Sequence, residues 1–490
     1  MNKKSIFLFL VFAINFTFCK AQSNITWKMG MNISTNAYSC MHPRMALDGA
    51  GNPMVIWGKM SDESIFFSKW NGTAFTTPVK INPTGFKAAT ASWMGPDIAS
   101  KGDTVYVVFK RAPETSDTNY IYILTSFNGG ASFSSPVRVD YIADSISRFP
   151  TVTVDDAGNP IVAFMKFNAS FMQSRWVVTK SADYGKTFST DVIASGYSGT
   201  NAEVCDCCPG AIISSGNISA MLYRDNLNNI RDIWTGISTN NNVSFNSGFA
   251  TDNTKWMINS CPSSGPDGVV IGDSLYSVFL SAGSGNFRTY ISSSSISSGA
   301  VKSVSRLSGN FTGLSQQNYP RIATDGKAGA IVWKQTTSTG TQLPILFTND
   351  ISKGFPTNYD TVDLKDITNA DVAMSNGNIF VVWQDDNSGT VKFRSATYTP
   401  INTSVNEYNN YQMEQNNFSV FPNPATGIIN VISSDNEKYA INIYNAVGEK
   451  IYNASPTSNT QIEISNYASG IYFLQIVSQH YFSIQKFIKQ

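Results

Sequence analysis

Short apolar runs alternate with turn residues along most of this chain, and the alternation repeats. In Arg148–Phe164 (RFPTVTVDDAGNPIVAF) a Pro opens an alternating strand, an Asp/Gly turn follows, and a second strand ends in an aromatic residue. The phrase recurs at Pro43–Trp57, Pro96–Phe109, Pro209–Tyr223, Pro266–Phe279 and Pro320–Trp333, and with Ala for Pro at Ala370–Trp383. Successive copies, seven in all, start 53, 54, 59, 57, 54 and 50 residues apart. A period of about 40–60 residues built from short strands marks a β-propeller. A two-stranded hairpin such as Thr151–Val154 with Ile161–Phe164 cannot cover its own apolar side chains. Stacking blades in a ring protects both faces of each sheet and leaves only short edges.

Two more strands complete each repeat; in the third copy they are Trp176–Lys180 and about Asp191–Ala194. The seventh repeat runs out near Thr399, so Ile25–Ile33 is expected to supply its outer strand and close the ring. Seven blades are expected, or six if one copy is irregular.

The length, 490 residues, calls for more than one domain. Only 14% of residues are charged, and Ser, Thr, Asn and Gly are abundant, as in extracellular all-β proteins. A net charge of +1 gives no footprint for nucleic acid. Lys3 and Lys4 ahead of the apolar run Ile6–Phe18 read as a signal peptide over residues 1–21, cleaved after Ala21. No later stretch is long enough to be a spanning helix.

Between the third and fourth strands of the third repeat lies Ser181-Ala182-Asp183-Tyr184-Gly185-Lys186-Thr187-Phe188. Asp183 suits the turn because its carboxylate accepts bonds from nearby amides, Gly185 because it permits a positive φ, and Phe188 because it tucks beneath the hairpin. Weaker versions occur at Ser68–Phe75, Ser126–Phe133, Ser238–Phe245 and Thr348–Phe355. This octamer resembles the Asp box of sialidase-type (BNR) propellers, where Ser181, Asp183, Gly185 and Phe188 would be structural. Sialidases have six blades, so a count of seven departs from that family.

Residues 22–399 thus form the expected propeller and 400–417, rich in Asn, Tyr, Gln and Glu, a linker. Beyond it, alternating strands with turn punctuation give a small Ig-like β-sandwich over residues 418–490. Its Phe418-Ser419-Val420-Phe421-Pro422-Asn423-Pro424 opening, Ser469-Gly470-Ile471-Tyr472 and closing Lys486-Phe487-Ile488-Lys489 resemble the type A C-terminal sorting domain of the type IX secretion system of Bacteroidota. The resemblance implies engagement of that secretion machinery through residues 418–490, and a propeller released or held on the outer cell surface.

Two histidines, His42 and His480, are too few for a Ser-His-Asp set or a His-rich metal site in the propeller. In a propeller the loops leading into the innermost strands and those after the second strands share one face. That places Arg44, Arg148, Arg224, Asp225, Arg231, Asp232 and Arg321 at one opening as candidate ligand-binding residues, with His42, Asp97, Arg111, Glu203, Asp206, Lys334, Asp371, Asp385 and Asp386 nearby. Sialidases hold a carboxylate with three arginines and use a Tyr/Glu nucleophile with an Asp acid. Arg44 and Arg321 follow Pro, the reverse of the family signature, and no Tyr–Glu pair is assignable, so no catalytic set is carried over.

Cys40, Cys205, Cys207, Cys208 and Cys261 all precede innermost strands. In an exported chain they read first as disulfides. Their odd number keeps open a soft-metal thiolate site, although Cys-x-Cys-Cys lacks zinc spacing. No other cofactor is expected. Three functions stay open: a surface propeller binding glycan or protein at its channel face, a sialidase-type glycoside hydrolase, and a cysteine-lined metal-binding protein.

Overall fold

The computed structural model describes residues 25–34, 38–141, 145–260, 262–364, 366–400, 418–433, 438–446, 448–456, 459–478 and 482–490. The expected signal peptide and nearly all of the expected linker lie outside them, as do Cys261 and His480. The chain divides between Ile401 and Asn402 into two compact units.

Among the described residues of the first unit, seven antiparallel sheets follow one another in chain order. Blade 1 is Cys40–Leu47, Pro53–Lys59, Ser64–Lys69 and Val79–Lys80, and blade 2 Asp97–Lys101, Thr104–Lys110, Ile121–Ser126 and Val137–Arg138. Blades 3, 4, 5 and 6 open with the innermost strands Ser145–Val154, Ala211–Ser215, Asp267–Ile271 and Leu314–Thr324. Blade 7 contributes Ile367–Ser375, Asn378–Asp385 and Thr390–Tyr398, and its outer strand comes from the other end of the unit: Ile25 pairs with Tyr398 and Trp27 with Ala396. The innermost strand of each blade neighbours those of both adjacent blades, blade 7 touching blade 1. The ring is closed, and the blade count is seven.

Strand alternation explains what holds it. In Thr104–Lys110, Val105, Val107 and Phe109 pack toward blade 1, whereas Tyr106 and Val108 pack toward blade 3. The middle strand of a blade is therefore buried on both faces, which is why its sequence is almost continuously apolar. One apolar cluster lies in each gap between blades. That between blades 7 and 1 joins Val55 and Trp57 to Phe380, Val382 and Phe393. Each fully buried large side chain contributes about 1.5–3 kcal/mol, and the outermost strands, two residues long in blades 1 to 3, leave little edge to pair with another chain.

The second unit has two antiparallel sheets, one of Phe418–Phe421, Ile428–Ser433 and Thr460–Glu463, the other of Lys450–Ala454, Tyr439–Asn445, Gly470–Ser478 and Phe482–Lys489. Ile429, Val431, Ile441, Ile443, Leu474, Ile476 and Phe487 form its core. Ala425 donates to Ile488 O and accepts from Gln490 N, tying the chain's last residues to the sandwich.

Candidate site at the channel mouth

The residue after the Pro (Ala in the last copy) of each repeat lies at or just before the regularly paired part of an innermost strand. Around the ring these are Arg44, Asp97, Thr151, Gly210, Asp267, Arg321 and Asp371. Three carboxylates reach across to the next blade. Asp97 Oδ2 accepts from Val152 N and Thr151 Oγ1, at 3.0 and 2.8 Å. Asp267 Oδ2 accepts from Ile322 N at 3.0 Å and Asp371 Oδ2 from Met45 N at 2.9 Å. Arg321 lies between two of them, its Nε 3.0 Å from Asp371 and its Nη1 3.4 Å from Asp267. Burial pushes the Asp267 carboxyl up, and Arg321 pulls it back.

Arg44 is different. Its Nη1 donates to the carbonyl of Pro43 at 2.8 Å, and among the described residues no carboxylate lies within ion-pair distance. Burial first, and then Arg321, lower its pKa to about 10, so it stays charged at neutral pH.

Above the ring, innermost strands of blades 1, 3 and 6 are bulged before their Pro. There His42, Phe149 and Tyr319 adopt left-handed φ values of 55°, 52° and 51°. Such conformations are costly for residues with a side chain and cluster at functional sites. All three line a cavity of about 70 Å³ together with Arg44, Arg321 and Trp93. His42 is buried, its Nδ1 has no hydrogen-bond partner, and desolvation holds its pKa well below the usual range, so it is neutral.

Trp93 sits on a tight turn in which Ala91 and Met94 exchange backbone bonds. Asn369 of blade 7 donates to Ser92 O at 2.6 Å, and a Cβ on Gly95 would lie 2.7 Å from the His42 ring, so the turn is fixed over the mouth. Trp93 is 41% exposed. Sequence reasoning missed it because the turn lies between repeats, where no periodicity marks it.

The other candidates are placed differently. Arg148 is ion-paired with Glu114, donates to Asp206 O at 3.1 Å and stacks on Phe149. Arg224, expected at the rim, is 1% exposed and spends its donors on the carbonyls of Ser264, Arg231 and Leu280. Asp225, Arg231 and Asp232 are buried with it, since the loop after the second strand of blade 4 folds under the surface. Asp225 accepts from Leu227 N and burial pushes its carboxyl up to about 6, while Asp232 accepts from Trp256 N. These four residues present no free surface to a ligand.

Asp183 Oδ1 accepts from Lys186 N and Thr187 N, and Ser181 Oγ accepts from Gly185 N at 2.8 Å. Gly185 has φ 83°, and Phe188 packs against the cluster between blades 2 and 3. This set holds a turn and lines no part of the mouth.

Cys40, read as a disulfide candidate, is a reduced thiol buried between blades 1 and 7. Cys205 and Cys208 are also free and buried, whereas Cys207 is disulfide-bonded and half-buried. The three sulfurs of the Cys205–Cys208 loop lie within 4.0 Å of one another.

The second unit and the ring together define an exported β-propeller with a C-terminal sorting domain. Residues 419–490 match the secretion system C-terminal sorting domain, which places the protein at the cell surface or outside the cell, and no described helix is long and apolar enough to cross a membrane. Among curated proteins none matches the chain in sequence. Among solved structures it is similar to the Hadza microbial sialidase Hz136, at 12% identity over 76% of this chain and 68% of that one, with a TM-score of 0.47. It is similar to a protein of unknown function from Dyadobacter fermentans, at 9% identity over 77% and 100% of the two chains, with a TM-score of 0.47. It is also similar to a PL25 ulvan lyase, at 11% identity over 75% and 93%, with a TM-score of 0.48.

Proposed function

We propose that this surface or secreted propeller binds an acidic glycan at its channel mouth. The observation that carries the reading is Arg44, a charged guanidinium lining the mouth cavity: Asp371, Asp97 and Asp267 act on it from a distance, but among the described residues none of them forms an ion pair with it, and the exposed indole of Trp93 lines the same cavity. A cavity of about 70 Å³ is far smaller than a site enclosing a whole ligand. It suits one charged substituent, a carboxylate or sulfate, taken by the planar guanidinium. The sugar ring then lies outside, against Trp93, which stands on the turn that Asn369 anchors. Asp97, Asp267 and Asp371 are engaged by backbone amides, and two of them by Arg321, which suits a binding role better than acid–base work.

Titration of the full chain against uronic-acid and sulfated oligosaccharides tests this. Acidic glycans should bind and neutral analogues should not, and Arg44→Ala or Trp93→Ala should each weaken binding about tenfold or more. Equal affinity for neutral and acidic sugars, or indifference to both substitutions, would remove the reading.

A further inference from the structure

The loop leading into blade 4 reads Cys205-Asp206-Cys207-Cys208-Pro209, so Cys205 and Cys208 stand at C-x-x-C spacing. Cys208 N–H donates to Cys205 O at 3.3 Å, and the turn this closes brings the two sulfurs to 3.3 Å. Arg148 of blade 3 pins the turn from outside by donating to Asp206 O at 3.1 Å. Cys205 and Cys208 are buried thiols outside any disulfide, whereas Cys207 is disulfide-bonded and offers no thiolate. Among the described residues no His, Asp or Glu joins the sulfurs within the reach of one ion. The turn therefore presents two soft donors and nothing hard.

Arg231 lies close enough for its charge to act on the Cys205 sulfur. It is 7% exposed, and its Nε and Nη1 have no hydrogen-bond partner. Arg224 acts on the same sulfur but spends its donors on the carbonyls of Ser264, Arg231 and Leu280. A guanidinium buried with donors unused is costly unless an anion stands near it. A neutral dithiol does not supply that anion. Two thiolates around a monovalent cation do, since together they carry one negative charge.

We propose that Cys205 and Cys208 bind one copper(I) ion as a pair of thiolates. Soft thiolate sulfur selects copper(I) among the first-row ions. Zinc takes three or four protein ligands, more than this pair provides. Two metal–thiolate bonds of about 2.3 Å each place the sulfurs at most about 4.6 Å apart, so the pair opens by about 1 Å to take the ion. Binding forms two Cu–S bonds and breaks two S–H bonds; both protons pass to solvent and no electron moves. The charge of the pair and its ion falls to −1, and Arg231 balances it. The site lies beneath the exposed Asp206, one residue from solvent.

The test uses the full chain, purified without chelator and kept under argon, titrated with copper(I) against the chelating dye bicinchoninate. One copper per chain should be withheld from the dye and should show two sulfur neighbours in X-ray absorption. Cys205→Ser and Cys208→Ser should each release it, and Arg231→Gln should weaken binding about tenfold or more. Cys40→Ser should change nothing. Loss of all copper to the dye, bound copper lacking two sulfur neighbours, or retention of the copper by both serine variants would overturn the proposal. The absorption spectrum of the unmutated chain decides even if the serine variants do not fold.

Discussion

Asp183 gathers Lys186 N, Thr187 N and Thr187 Oγ1 on one exposed carboxylate, and those bonds, the one from Thr187 Oγ1 foremost, lower its pKa from 3.8 to about 2. Because the folded value lies below the unfolded one, the stabilisation is complete above pH 3.8 and is lost as pH falls toward about 2. Asp183→Asn should therefore flatten the acid limb of a thermal-melt series while holding the turn at neutral pH, as Asn128 and Asn240 do at the same place in blades 2 and 4. In blade 5 an aspartate reaches the third-strand turn from the other side: Asp273, between the first two strands, accepts from Ser295 Oγ and Ser297 N. Gly130 has φ 82°, and a Cβ there would lie 2.1 Å from the Phe67 ring. Gly130→Ala should destabilise by about 1–3 kcal/mol. Gly72→Ala, with φ 101° but open space around it, should cost less in the same denaturation assay.

At the scale of the strand, blades were legible because their signals are local. A Pro, an alternating run, a turn and an apolar run ending in Trp57, Phe164 or Trp333 need no knowledge of distant partners. The site was legible only in part. Their place at the entry to an innermost strand marked Arg44, Asp97, Arg321 and Asp371 but left out Asp267, and which arginine escapes an ion pair depends on which blades meet across the channel. Polar loop residues such as Arg224 and Asp225 read as rim because sequence carries no sign that their loop folds inward. The two channel arginines consequently separate by experiment. Arg321→Ala strands Asp267 and Asp371 and should cost about 3–5 kcal/mol in unfolding free energy. Arg44→Ala, which loses a hydrogen bond only to its neighbour's carbonyl, should leave the melting temperature nearly unchanged while weakening acidic-glycan binding about tenfold or more.

For the whole molecule, closure rests on residues at opposite ends of the propeller. Trp27 donates through Nε1 to Asp360 of blade 6 at 2.9 Å and lies under the Arg394 guanidinium, so the first strand grips two blades. Trp27→Ala should lower the melting temperature more than an exposed substitution such as Met29→Ala, and deletion of residues 25–34 should broaden the unfolding transition. A chain ending before Phe418 should lack its sorting signal and be retained inside the cell envelope, which fractionation measures.

The pairing of Ile25 with Tyr398 also sets an order of events. During synthesis and export the first strand has no mate until nearly the whole propeller has emerged, so early blades wait as an incomplete arc with one apolar flank uncovered. The ring therefore cannot close before residue 398 has been made, when the latch at residue 25 finds its mate.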